Sequence, residues 1–361
     1  MQIVFLQNSA TQPRCHKRFR AFRQLGVDGI VYSFDRNWYN VNLPNDIEIN
    51  SLGELRPGSY IKRFFHLIRI LRPIFKKHKG DLFYCYGQDI SFIALLFKQK
   101  FVYEESDLIY LGYKESFVGK VMRKVDILLQ RKSSATVLTS QGFVEYLYGN
   151  GKKPSNVFVI PNKLDAYFSS FNRPAPKSSD ISHLKFAFIG LIRYERYITN
   201  FVEEMVAFNP DYEFHIWGDG PAGPRKYVDS LCARFNQVKY HGPFRNPMDL
   251  PEIYSRVDIN FVCYYLEGLN ERIAEPNKLY ESVFFNTPML VTPMTYLSKV
   301  VSKWGNGYIV NCQERESIRE FLHSLSSDTL EIKKNNCSSI DVASLISDSS
   351  DEGRILSAIS C

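Results

Sequence analysis

No stretch of this 361-residue chain approaches the roughly 20 uninterrupted apolar residues that cross a bilayer as a helix. None of its seven cysteines (Cys15, Cys85, Cys232, Cys263, Cys312, Cys337, Cys361) forms a C-x-x-C pair, so zinc ribbons and dithiol motifs find no ligands. An odd, scattered set suits free thiols in a reducing compartment. No D-x-D triplet offers paired carboxylates to a metal ion, and no metal is expected. RNP, helix-turn-helix and zinc-finger signatures are missing, which leaves nucleic-acid binding without support. None of the seven histidines (His16, His66, His78, His183, His215, His241, His323) stands in a catalytic context, and packing or surface roles are expected. The opening "MQIVFLQNS" lacks a basic n-region and reads as a buried first strand, not a signal peptide.

What is present is a globular composition: 45% hydrophobic, 23% charged and 14% aromatic, long enough for two domains. The net charge of +7 suits an anionic partner (a phosphate-bearing ligand or an acidic membrane surface), or simply a basic soluble enzyme. Short apolar runs such as "QIVFLQ", "GIVYSF", "DLFYCYG" and "KFVYEES" alternate with helical patterns through the first half. The alternation stops at "SSFNRPAPKSSDISH", a stretch of linker composition, and restarts at "KFAFIG". Alternating strands and helices predict two parallel, doubly wound sheets, with ligands beyond the carboxyl ends of the strands in the cleft between the halves. The expected division is a first domain over 1–168, a linker over 169–183, a second domain over 184–330 and a loosely packed Ser- and Asp-rich tail over 331–361.

The stretch "EPNKLYESVFFNTPMLVT", residues 275–292, predicts a helix with Pro276 at its first position, then a short buried strand. Asn277, Lys278 and Glu281 share the helix's polar face, near N–H groups and a macrodipole that favour an anion. A solvated surface pair is the plainer reading of Lys278 and Glu281.

In order, "FAFIGLIRYERYI", "YEFHIWGDGP", "VKYHGPF", "IYSRVDINFVCYYLEG" and this helix resemble the donor domain of retaining family-4 (group 1) glycosyltransferases of the GT-B fold. More loosely, "LIRILRPIFKKHKGDLFYCYG", "KFVYEESDL" and "ATVLTSQGFVEYLYGNGKKPSNVFVIPNKLD" resemble that family's acceptor domain, so the likeness covers nearly all of residues 1–330. It implies two Rossmann-like domains facing each other across a cleft. It also implies sugar transfer, with retention, from a UDP or GDP sugar to a saccharide acceptor, in surface polysaccharide or O-antigen biosynthesis.

The resemblance assigns Glu281 to the ribose diol; the helix start, with Lys278 as a point charge and Asn277 beside it, suits the diphosphate of a sugar nucleotide on its own chemistry. Many members carry two glutamates separated by seven residues. With Glu281 as the second, the first falls on Ile273. Glu267 and Glu275 have the spacing but stand early, and Glu275 or Glu271 is left to reach the sugar. The loop after Gly190 carries the family's basic pair as Arg193 and Arg196, with Leu191 where an early Arg is usual. Gly218 makes a tight turn beside the base pocket, which Phe244 borders.

On the acceptor side, Ser106 replaces the family's histidine while Asp107 remains. Glu105 and Asp107 at a strand end would orient or deprotonate the acceptor, though Asp107 serves equally as a helix cap. Transfer with retention needs no strong base if the departing phosphate takes the proton. Arg193, Arg196 and Lys278 would stand in for a metal.

Other readings are a sugar-nucleotide 2-epimerase, a phosphorylase, or a non-catalytic sugar- or membrane-binding module of the same fold. The last draws on residues 61–79. There Ile61, Phe64, Phe65, Ile68, Leu71 and Phe75 mark one helical face and Lys62, Arg69, Arg72 and Lys76 the other, interrupted by Pro73. Such a stripe is either core packing or a docking face for a cytoplasmic enzyme held on the inner membrane surface, where it would meet a lipid-linked acceptor.

Overall fold

The computed structural model describes residues 2–35, 45–55, 60–113, 116–149, 151–220 and 222–360. It divides into two units, Met1–Asn162 with Asp348–Cys361, and Lys163–Ser347.

In the first unit, β1 (Gln2–Gln7), β2 (Asp28–Asp35), β3 (Ile49–Glu54), β4 (Leu82–Tyr86), β5 (Lys100–Glu105), β6 (Ala135–Leu138) and β7 (Val157–Val159) form a parallel sheet ordered β3-β2-β1-β4-β5-β6-β7. Its crossovers include α1 (Pro13–Gln24), α2 (Tyr60–Lys77), α3 (Gln88–Leu96) and α4 (Phe117–Lys132). The central strand shows why the sequence folds this way. Ile3 and Phe5 pack with Phe19 and Phe22 of α1, while Val4 and Leu6 pack with Leu67 of α2 and Ile90 of α3. A strand apolar on both faces needs helices on both, and crossovers supply them.

Two expectations for this unit change. Pro73 does not interrupt α2, which runs through it. Leu71, Ile74 and Phe75 on either side of the proline are buried and hold the helix against the sheet. The apolar stripe of α2 is therefore mostly core; Ile61 lies outside the residues whose side chains are described.

The tail is not loosely packed. Helix Ser327–Ser338 belongs to the second unit and buries Leu330 and Cys337. Helix Ser350–Ser360 returns to the first unit and places Ile355 and Ile359 in the core beneath α1. Its Glu352 pairs with Arg18. Regularly spaced Ile and Leu among the serines carry this packing, which composition alone conceals.

In the second unit, β8 (Lys185–Ile189), β9 (Glu213–Trp217), β10 (Val238–Gly242), β11 (Ile259–Val262), β12 (Met289–Val291) and β13 (Gly307–Ile309) form a parallel sheet ordered β10-β9-β8-β11-β12-β13. The order reverses between β8 and β11, and the crevice beyond their carboxyl ends is where such a sheet takes ligands. The unit begins at Lys163, so the stretch expected as a linker is strapped to it. Arg173 donates to the carbonyls of Val283, Phe284, Cys337, Ser338 and Ile340. Lys177 pairs with Asp258 at 3.4 Å.

Candidate functional site

The site begins at two glycines. Gly190 directly follows β8 and Gly218 directly follows β9, each with φ of +144°, which a side chain rarely adopts. The turns also touch: a Cβ on Gly218 would lie 1.7 Å from the Gly190 carbonyl oxygen. The Gly190 N–H donates to the Trp217 carbonyl at 2.8 Å, locking the two strand ends together. The chain then passes Arg193 and Tyr194 (φ +64°) into the helix Glu195–Phe208.

A cavity of about 370 Å³ opens at this switch point. Gly190, Arg193 and Tyr194 line one side; Asn277 and Lys278, the first residues of the helix Asn277–Phe284, line another. Phe244, Asn246 and Tyr264 complete the wall. The helix starts one residue later than expected, with Pro276 as its cap residue. Its first N–H groups have no partner within the helix, so its start offers donors and a positive dipole end.

Lys278 is 8% exposed, and its stem passes over Gly190, with Cε 3.6 Å from where a Cβ would stand. Its Nζ lies 5.5 Å from the centre of the Phe244 ring. Glu281 holds it. The Glu281 carboxylate is 1% exposed and accepts from four side chains. Asn277 (2.7 Å) and Asn246 (3.2 Å) donate to Oε1; Lys278 (2.7 Å) and Tyr254 (3.1 Å) donate to Oε2. Four donors use the capacity of a carboxylate. The ribose role expected for Glu281 is thus filled by protein groups, and the residue stands behind Lys278 instead of lining the cavity.

Of the other expected donor residues, Gly190, Arg193, Phe244, Asn277 and Lys278 line the cavity, and Gly218 braces it through Gly190. Arg196 does not reach it. Its guanidinium pairs with Glu267 and lies 5.2 Å from the Tyr265 ring centre, half exposed to solvent. The rings of Tyr265 and of Tyr197, the latter 5.4 Å away, make that outward position favourable. Glu275 is also outside the lining: it accepts from the Tyr280 hydroxyl, and burial raises its pKa. Glu271 folds back on its own loop, its Oε2 1.9 Å from where a Cβ on Gly268 would stand.

Three lining residues with polar side chains escaped sequence reasoning. Tyr194 and Tyr264 stack at 5.0 Å and 30°, and Asn246 reaches back to Glu281. The signal for Tyr264 was its place two residues beyond the end of β11, next to the topological reversal. Nothing in "GPFRNP" singles out Asn246.

In the first unit, Glu105 does not face solvent. It is 2% exposed, turned beneath α4 toward Asp126, and burial followed by the Asp126 charge raises its pKa well above the usual range. Asp126 in turn accepts from Tyr103 at 2.9 Å and Gln130 at 2.8 Å. A carboxyl buried under α4 and engaged with Asp126 is not presented to an acceptor, so the expected catalytic role of Glu105 is withdrawn. Asp107 is exposed beside Ser106, and its charge reaches both Arg14 and Glu105. The cap of α4 is Ser116, whose hydroxyl accepts from Gly119 N–H at 3.0 Å. Among the described residues no cluster of three or more His, Cys, Asp or Glu could hold a metal ion.

Comparison with known proteins places this geometry. Residues 183–328, which carry the whole cavity, match the family model described as glycosyl transferases group 1. The succinoglycan biosynthesis protein ExoL of Rhizobium meliloti is 21% identical over 345 residues, 90% of this chain and 85% of that protein. Two solved structures share the fold across both units. Sucrose-phosphate synthase of Thermosynechococcus elongatus matches with a TM-score of 0.72 and 14% identity, over 99% of this chain and 97% of its own. HepE of Anabaena, solved with UDP and glucose, matches with a TM-score of 0.71 and 16% identity, over 100% and 99%.

Proposed function

We propose, for a chain that belongs to the group 1 glycosyltransferases of the GT-B fold, that the cavity of its second unit takes a nucleotide-diphosphate sugar. The enzyme then moves that sugar to a saccharide acceptor. The observation that carries this reading is the held cation. A buried carboxylate, Glu281, fixes Lys278 over the glycine turn at the start of a helix, and Arg193 lines the same cavity.

A diphosphate is the anion such a place suits, since two cations and free helix N–H groups converge on it. Charge grows on the diphosphate as the sugar leaves, so cations fixed beforehand stabilise the transition state without reorganising. The base and ribose would lie against Phe244, and UDP is the nucleotide proposed, since HepE was solved with it. Transfer proceeds with retention and without a metal: the leaving phosphate takes the acceptor proton, which fits a first unit whose Glu105 is buried beneath α4. Asp107 remains the one expected carboxylate exposed to orient an acceptor.

The acceptor is a saccharide on a lipid carrier, extended toward a surface polysaccharide or O-antigen, and the enzyme works peripherally on the cytoplasmic membrane face. The name of ExoL supports the polysaccharide setting. Incubating the protein with UDP-sugars and saccharide acceptors, then following UDP release and product anomer by NMR, tests the proposal. A retained glycosidic linkage is expected. Fold similarity also extends to a putative UDP-N-acetylglucosamine 2-epimerase of Listeria monocytogenes. Conversion of the donor to its 2-epimer with no linkage formed would establish that reading instead.

A further inference from the structure

We propose that α4 is a docking face by which the first unit lies on an anionic lipid bilayer. Only Gly119, Asp126, Leu129 and Gln130 of its sixteen residues are buried. Leu129 enters the core, and Asp126 accepts from Tyr103, so the helix cannot roll and its outward face is fixed.

That face is apolar where helices of this kind are normally polar. Phe117 is 81% exposed, and Val118, Val121 and Leu128 are exposed with it. At about 100° per residue, Phe117, Val121 and Leu128 fall within roughly 40° of arc, a single stripe along the helix. Every exposed charge on α4 is positive: Lys120, Arg123, Lys124, Arg131 and Lys132. The helix's one acid, Asp126, is the residue turned inward.

An apolar stripe flanked by cations fits lipid acyl chains below anionic headgroups. A second copy of this chain is a poor occupant, because paired copies would set the same five cations against each other. α2, the helix in which the sequence offered a docking face as one of two readings, spends Leu67, Leu71, Ile74 and Phe75 on the core. The proposal names the surface at which a lipid-borne acceptor would be met. It rests on α4 and leaves transfer to a soluble saccharide standing if it fails.

Sedimentation of the full chain with vesicles tests it. Binding is expected to phosphatidylcholine vesicles containing phosphatidylglycerol, not to phosphatidylcholine alone, and is expected to fall as salt rises. K120E/K124E/R131E should lower vesicle binding at least tenfold, with UDP binding and release of UDP to soluble acceptors unchanged. K62E/R69E/K76E on α2 should keep most of it. If the triple variant on α4 misfolds, F117W serves alone: its emission should shift to the blue on anionic vesicles. Wild type that ignores these vesicles, or F117W whose emission does not move, overturns the proposal. So does a dimer that α4 substitutions disperse without any lipid binding, which would give the face to a second copy.

Discussion

Lys278 Nζ lies 2.7 Å from Glu281 Oε2, one helical turn away, with both side chains buried. Charges so placed are costly to bring out of water and costly to separate. The pair is therefore retained for position: Glu281 holds an ammonium at the mouth of a helix. Removing only the carboxylate should expose that cost. E281A is expected to lose about 3–5 kcal/mol of stability in urea denaturation, the scale for a buried charge left without its partner. E281A/K278M should recover much of it. A single variant as stable as wild type would mean the pair is not buried in solution.

Arg193 and Lys278 line the cavity, while Arg196 is turned away onto Glu267. R193A and K278A should each lower kcat by about a hundredfold or more, the scale for losing a fixed partner of transition-state charge. R196A should stay close to wild type. Steady-state kinetics with a UDP-sugar checks this, and an equal loss in all three variants would return Arg196 to the site.

The Glu105–Asp126 pair predicts a pH dependence. Burial and the neighbouring charge hold the Glu105 pKa well above its ordinary 4.5. The native state therefore keeps a proton that the unfolded chain releases above about pH 4.5, and stability falls as pH rises from there toward the folded pKa. E105Q removes this term. Denaturation midpoints across the pH range should fall less steeply for E105Q than for wild type, and parallel curves would contradict the assignment.

Arg173 caps two helix ends at once through five backbone carbonyls, those of Val283 and Phe284 and those of Cys337, Ser338 and Ile340. R173A should cost about 2–3 kcal/mol, the scale of hydrogen bonds from a charged donor. R173K should recover little, since a point charge cannot fork to both helices. Because Val283 and Phe284 belong to the site helix, UDP affinity should weaken in both variants even at temperatures where they are folded. Unchanged affinity would confine Arg173 to a structural role.

How much of this could be read beforehand depends on what each residue's job leaves in the sequence. Gly190, Gly218 and Lys278 were legible because tight turns and helix starts restrict residue choice locally. The unbroken apolar run of β1 likewise marked a strand buried on both faces. Arg173 was hidden because its partners are backbone carbonyls more than a hundred positions away, which no side-chain pattern marks. Glu281 was found without its partners: spacing shows that it shares a face with Lys278, not that Asn246 and Tyr254 close on it from other elements. Arg193 and Arg196 look alike in sequence, and only the tyrosines and Glu267 around the second one separate them. The last helix was missed because serine-rich composition masked Ile355 and Ile359.

The central claim is that the cavity at Gly190 and Lys278 holds a nucleotide diphosphate through fixed cations. Calorimetric titration of UDP, GDP and UMP into wild type and K278A, with EDTA present throughout, tests it most directly. The account predicts UDP binding to wild type that exceeds UMP binding by about tenfold or more, the value of a second phosphate on charge-assisted hydrogen bonds. That preference should disappear in K278A. Equal affinity for UDP and UMP in wild type, or a UDP preference that survives in folded K278A, would contradict it.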